Sequence, residues 1–234
     1  SVFLTTTSED EGGVMAMCLD ADSGKVRWSE KFSEGIRQDD RSDYAGPSAV
    51  TDGKHAWFFS GNGDLAAYDF VGKQVWTRNI QKDYGEFAFG WTFSTSPALY
   101  DGILYMQVLQ RDVPANGKGR ADATNESYIV ALKPETGEEL WRHIRLSEAV
   151  MESREAFTTP IPILHEGRPV TIPKTDTNFG VGEPGTRKKS HSGDSFPPLY
   201  TEAESSWPAV QRENPFTESK PEVTVFSSIQ RRPG

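Results

Sequence analysis

Three tryptophans stand at a fixed distance from a glycine. The segments are LDADSGKVRW (19–28), YDFVGKQVW (68–76) and LKPETGEELW (132–141). In each, the glycine comes four residues before the tryptophan: Gly24 and Trp28, Gly72 and Trp76, Gly137 and Trp141. A second element recurs with it. GPSAVTDGKHAWFF (46–59) matches TSPALYDGILYMQV (95–108), and TPIPILHEGRPVTI (159–172) is a weaker third copy. The tryptophans are 48 and 65 residues apart, and the glycines of the second element, Gly53, Gly102 and Gly167, are 49 and 65 apart. Two independent markers in one phase mean a structural repeat. A repeat unit cannot bury its apolar faces alone and must stack on its neighbours. The longer second interval is read as an insertion, the polar loop 111–125.

Within one unit the residues read as strands. Short apolar runs, rich in aromatic and β-branched residues, lie between turn dipeptides. Residues 48–50, 56–60, 65–69 and 74–79 make one set of four; 97–100, 104–109, 127–132 and 139–144 make the next. Four strands in about 45 residues is the period of a propeller blade. The expected class is therefore all-β, a partial propeller of four-stranded antiparallel blades. Its parts are a partial blade over 1–32, blades over 46–80 and 95–146, and the start of another over 158–172. The first blade lacks its opening strand. The sole helix candidate is a short one in 146–157.

The turn between the third and fourth strands has its own chemistry. Asp20 or Asp69 can accept backbone hydrogen bonds, and glycine takes φ > 0 at little cost. The tryptophan then projects from the outer strand. Burying an indole removes roughly 150–250 Å² from water. Packing into the seam between blades is the reading for Trp28, Trp76 and Trp141, and truncating one should cost about 3–5 kcal/mol.

The pattern A-x-D-x-x-(T/S)-G-x-x-x-W, preceded by S-P-A-x-x-D-G, resembles the PQQ-like repeat with its tryptophan-docking motif. Here it stands as CLDADSGKVRW, AYDFVGKQVW and ALKPETGEELW. The docking residues it marks are Asp20, Gly24, Trp28, Asp69, Gly72, Trp76, Gly137 and Trp141. The resemblance covers about residues 1–170. It implies an eight-bladed quinoprotein-like propeller, as in quinoprotein alcohol dehydrogenases and BamB-like assembly proteins. Two departures stand out. Lys133 replaces the turn aspartate in the third copy, and the second copy is one residue short between Asp69 and Gly72. Eight such blades need roughly 350–400 residues. The 234 residues here are thus expected to be part of a larger propeller or a truncated product. The start at Ser1 reads as a processed, trimmed or partial chain without a signal-peptide pattern.

The repeat does not continue past residue 172. From 171 to 234 eight basic residues balance eight acidic ones, so the net charge of −9 resides in residues 1–170. Proline becomes frequent, and Trp207 has Ala203 where a glycine is expected. This tail is a disordered extension, a divergent end or an out-of-frame translation; the last two weigh more than a functional tail.

Chemistry is mostly excluded. Acidic net charge disfavours binding to a phosphate backbone, so no nucleic-acid partner is expected. No apolar run is long enough to span a membrane. A lone Cys18 excludes a disulfide framework. His55, His143, His165 and His191 show no metal-ligand spacing. The loop from Asp112 fails the EF-hand pattern at Pro114 and Ala123. The residues 117–119 lack a P-loop framework. Ser190, His191 and Ser192 lack a scaffold for a triad. Asn125-Glu126-Ser127 is a glycosylation sequon by rule. Among quinoproteins the resemblance implies a vicinal disulfide, a calcium ion and an aspartate base; none is visible. The acidic stretches 8–11 and 39–43 read as solvated loops.

One segment, YGEFAFGWTF (84–93), crosses between blades. Phe87, Phe89, Trp91 and Phe93 form either an exposed anchor for a partner or the filling of the seam, the latter carrying more weight. The leading functional expectation is a non-catalytic scaffold that binds an unknown protein partner without a cofactor, in the periplasm or otherwise outside the cytoplasm as the resemblance implies. The alternative is a piece of a quinone-dependent alcohol or sugar dehydrogenase, for which PQQ and calcium would be the cofactors and the active-site blades are missing.

Overall fold

The computed structural model describes residues 1–37, 42–165 and 168–172. The first sheet has three strands in the order β1 (Val2–Ser8), β2 (Gly13–Leu19) and β3 (Val26–Glu34). The second has four: β4 (Val50–Thr51), β5 (His55–Phe59), β6 (Asp64–Asp69) and β7 (Gln74–Asn79). The third repeats it with β8 (Ala98–Tyr100), β9 (Ile103–Val108), β10 (Ser127–Leu132) and β11 (Glu139–Arg145). A hairpin follows, β12 (Ile161–His165) with β13 (Arg168–Ile172). All pairings are antiparallel between chain neighbours, which is the meander of a propeller blade. Residues 173–234, with Trp207 and His191, and Asp39, Asp40 and Arg41 of the acidic stretch lie outside the described residues.

The two main clusters of the core lie between blades, and a smaller one, around Ala98, Tyr105 and Ala131, lies on the third blade itself. Val14, Ala16 and Cys18 of β2 meet Ala56, Phe58, Ala66 and Tyr68 of the second blade. On the other face of that blade, Trp57, Phe59, Leu65 and Ala67 meet Leu104, Met106, Val130 and Leu132 of the third. A middle strand covered on both faces reads as a continuous apolar run, as LAAY in β6 and YIVAL in β10 do. The outer strands β7 and β11 have one wet face, and their sequences are accordingly polar.

Trp28 projects from β3 onto the second blade. Its Nε1 donates to the Phe70 carbonyl at 3.1 Å, and its ring stacks on Tyr68 at 5.6 Å. Trp76 does the same one blade on, donating to the Pro134 carbonyl at 2.7 Å. Trp57 shares that carbonyl at 3.0 Å. The turn glycines serve these rings. A Cβ on Gly72 would stand 2.8 Å from Trp28 Cγ, and one on Gly137 would stand 2.8 Å from Trp76 Cε3. Each glycine thus has two reasons to be there, positive φ and the indole of the preceding blade. Gly24 has only the first, with nothing within 4 Å. Trp141 packs beside Tyr105, 6.1 Å between centroids.

The two sequence departures have local consequences. Asp20 Oδ1 accepts from the Ser23 amide at 2.8 Å, and Asp69 Oδ1 accepts from the Val71 amide at 3.0 Å and the Lys73 amide at 2.9 Å. Lys133 offers no such acceptor, and its ammonium pairs with Glu138 at 2.6 Å instead. The shortened second turn closes from Gly72 N to Asp69 O, where the longer ones close from Gly24 N to Asp20 O and from Gly137 N to Lys133 O.

The helical expectation needs correction. Residues 146–157 contain only a 3₁₀ turn, Met151–Arg154. A true helix, α1 (Ile80–Tyr84), follows β7 and has no sequence period because it is five residues long. The Asn79 side chain caps it, accepting from the Lys82 amide at 3.0 Å.

Candidate binding surface

The crossover that follows α1 runs over the gap between the second and third blades. The apolar faces of Trp57, Phe59, Met106 and Val108 end there and need cover. Phe87, Phe89 and Phe93 supply it and are buried. Phe89 stacks on Phe93 at 4.6 Å, Phe93 meets Phe59 edge-on at 5.7 Å, and Phe89 reaches Phe157 at 5.3 Å. These three side chains belong to the cluster between the second and third blades. Trp91 is half-buried, and together with Phe87, Phe89 and Phe93 it lines a surface depression.

Three segments are pinned together beside it. Glu155 has a side chain only 2% exposed. It accepts from the Gly90 amide at 2.8 Å and pairs with the Arg111 guanidinium. It thereby joins the crossover, the insertion loop and the strand-like run after the 3₁₀ turn. Asn116 Nδ2 donates to the Gly90 carbonyl at 2.8 Å. Residues 115–118 form a tight hairpin, Ala115 N to Lys118 O at 2.9 Å, with Asn116 at φ 51° and Gly117 at φ 76°. That is the Asn-Gly turn of type I′. Asn125 is buried and occupied: Nδ2 donates to the Asp112 and Arg120 carbonyls, and Oδ1 accepts from the Arg120 amide at 2.7 Å. The sequon's amide is committed to the loop and closed to glycosylation in the folded chain.

Two kinds of surface result. The first is the depression, about 20 Å³, walled by Arg37, Tyr44, Asn62, Gln81, Trp91 and Lys118. The second is apolar. Leu146 is 89% exposed, Val150 61% and Met151 57%, and Val113 of the insertion loop is also exposed. The Met151 amide donates to Asp112 Oδ1 at 3.1 Å, which ties the 3₁₀ turn to the insertion loop next to Val113. Nothing in the sequence flags Glu155 or the exposed apolar residues Leu146, Val150 and Met151, because none carries a motif.

At the seam, charge gathers on Tyr84. Its hydroxyl donates to Glu139 Oε2 at 2.5 Å and accepts from Arg78 Nη2 at 3.0 Å. Arg78 also donates to the Gly137 carbonyl and to Asp83 Oδ2 at 2.8 Å. Burial, and then the Glu139 carboxylate, push the Tyr84 phenol up to about 12. Burial also raises Tyr128, 5.2 Å from Tyr84. Hydrogen bonds from Arg27, then from Ser23, hold Asp20 well below the usual carboxylate range.

Cys18 is buried and is the chain's single cysteine, so a vicinal disulfide cannot form. Among the described residues no group of three or more His, Cys, Asp or Glu could hold a metal. His55 lies 3.6 Å from Asp52 on an outer turn. Among the described residues no helix is long and apolar enough to cross a membrane.

A family model described as outer membrane protein assembly factor BamB matches residues 11–158, more than half of the chain. Among solved structures the chain is similar to BamB from Moraxella catarrhalis, at 18% identity over 73% of this chain and 43% of that one, TM-score 0.43. It is similar to a europium-containing methanol dehydrogenase, at 13% identity over 61% of this chain and 22% of that one, TM-score 0.42. A quinohemoprotein alcohol dehydrogenase from Comamonas testosteroni is 21% identical over 61% of this chain and 19% of its own length, TM-score 0.40. The chain thus spans less than half the length of each of these three structures. No curated protein matches it.

Proposed function

Because the chain belongs to the family described as outer membrane protein assembly factor BamB, we propose that it is a non-catalytic propeller scaffold that binds a protein partner outside the cytoplasm. The observation that carries this reading is the apolar group Val113, Leu146, Val150 and Met151, exposed on loops that Glu155 and Asp112 fix in place. Apolar side chains presented to water cost solubility, and a partner that covers them offsets that cost. The family description, assembly of outer membrane proteins, supports an extracytoplasmic compartment.

The test is photocrosslinking in the cell. A photoreactive residue at Leu146 or Val150 should give a discrete protein adduct. The same residue at Val71, which is 82% exposed on an outer turn, should give none. Equal labelling at Val71, or quinone-dependent oxidation of an alcohol or sugar by the purified chain with added calcium, contradicts the proposal. The second outcome favours the dehydrogenase alternative.

A further inference from the structure

We infer that the first sheet carries an open seat for one indole, and that a partner protein fills it with a tryptophan borne on an extended strand. The inference goes beyond the scaffold reading, since it concerns another sheet and another contact. Three turns of this chain are built alike, and two of them hold an indole. Trp28 lies over Gly72 and donates to the Phe70 carbonyl; Trp76 lies over Gly137 and donates to the Pro134 carbonyl. The turn of the first sheet has the hydrogen bonds of the third. Gly24 N closes on Asp20 O at 2.8 Å, as Gly137 N closes on Lys133 O at 2.8 Å. The Asp20 amide meets Lys25 O, as the Lys133 amide meets Glu138 O, again both at 2.8 Å. The two glycines also agree in backbone, φ 68° and φ 70°. In this register Ala21 stands where Pro134 does, and Leu19 where Leu132 does.

What differs is exposure. In the filled seat Leu132, Pro134 and Gly137 are buried; in the first sheet Ala21 and Gly24 are exposed and Leu19 is half-buried. Among the described residues nothing lies within 4 Å of where a Cβ on Gly24 would stand. The platform below the seat is apolar. Val14, Ala16 and Cys18 face the second blade, so Met17 and Leu19 face the other way, with Leu4 and Val2 paired beside them. Met17 and Leu19 hold the positions at which Ala66 and Tyr68 of the second blade receive the first. The occupant follows from the two filled copies. A flat ring fits over a residue that has no Cβ, and a ring N–H reaches the carbonyl beside it. Tryptophan combines a wide apolar ring with an N–H that only donates. Phenylalanine would cover Gly24 but leave the Ala21 carbonyl shielded from water without a donor, which costs binding. In both filled seats the indole arrives on a strand, β3 or β7, so the partner is expected to present it from one.

The experiment is NMR titration of the isotope-labelled full chain with a capped peptide of residues 72–80, the stretch whose Trp76 fills a seat within the chain. The expected result is a saturable shift of the Gly24 and Ala21 amides. The Gly72 and Gly137 amides should stay where they are, because their seats are filled. A peptide with Trp76→Phe should bind about tenfold more weakly, and one with Trp76→Ala should not shift Gly24 at all. In the chain, Gly24→Asn should weaken binding by at least about tenfold: asparagine tolerates the left-handed backbone, and its Cβ takes the place of the ring. Gly53→Asn, at an exposed turn of φ 88° outside the seats, should bind as the parent. Equal binding of the alanine peptide, or equal loss in Gly53→Asn, overturns the seat. The peptide variants decide the matter even where Gly24→Asn fails to fold. Gly24 shifts that grow with protein concentration and no peptide mean that a second copy fills the seat, and they overturn the partner assignment. The crosslink at Leu146 tests the scaffold reading separately. Its absence beside intact binding at Gly24 removes that reading and leaves this one; its presence beside a silent Gly24 does the reverse.

Discussion

Tyr84 shows how a single side chain joins two blades. It leaves the end of α1, lies against Tyr128 of the third blade and donates to Glu139 on that blade's outer strand. Arg78 reaches it from the second blade and goes on to the Gly137 carbonyl. Its phenol ionises at about 12 in the folded chain and near 10 when unfolded. A group whose folded pKa is raised contributes stability that is complete below its unfolded value and is lost as pH rises through the folded one. Stability should therefore begin to fall above about pH 10 and the Tyr84 contribution should be gone by about 12. Urea unfolding across that range checks it. Tyr84→Phe should lower stability at pH 8 and flatten the alkaline fall; an unchanged alkaline fall would count against the assignment. Other residues were harder to read from sequence. Asn125 satisfies a rule for glycosylation, yet only the structure shows that both ends of its amide are in use. Phe87, Phe89 and Phe93 look alike in sequence whether they face water or the seam, because both placements use aromatic residues.

The strands were legible at the level of elements because each has a turn at both ends and an apolar run between. The expected 74–79 and 127–132 coincide with β7 and β10, and the others shift by one or two residues. The single turn of α1 gave no signal, because five residues hold less than two helical turns. The loops were legible only as an insertion. What orders them is long-range, and Glu155 is the center of that order. Glu155→Gln keeps an acceptor for the Gly90 amide but removes the charge from Arg111. Breaking one side of a buried pair typically costs about 3–5 kcal/mol. The cost should appear locally first. Hydrogen exchange at Gly90 and Arg111 should quicken by at least about tenfold, while the amides of β5 and β6 keep their protection. Uniform acceleration across the sheets would mean that Glu155 supports the fold as a whole rather than the loop cluster.

Over the described residues, the two largest buried clusters lie in the seams between sheets, and only a smaller one, around Ala98, Tyr105 and Ala131, belongs to a single sheet. The repeat phase made this architecture readable, since Gly24, Gly72 and Gly137 kept their distance from Trp28, Trp76 and Trp141 through an insertion. It did not show that the glycine of one turn serves the tryptophan of the blade before it, a relation between residues about 60 positions apart in the case of Trp76 and Gly137. Function was less legible for the same reason: exposed apolar side chains on loops belong to the surface, where no period operates. The seam depends most on an indole seated over the next blade's turn glycine. A double-mutant cycle on Trp76→Ala and Gly137→Ala, followed by denaturant unfolding, tests it directly. The methyl added by Gly137→Ala should collide with the indole in the parent and meet only a strained φ once the ring is gone. The pair should therefore be less destabilising than the sum of the singles by about 1 kcal/mol or more. Additivity within about 0.5 kcal/mol would contradict the seam.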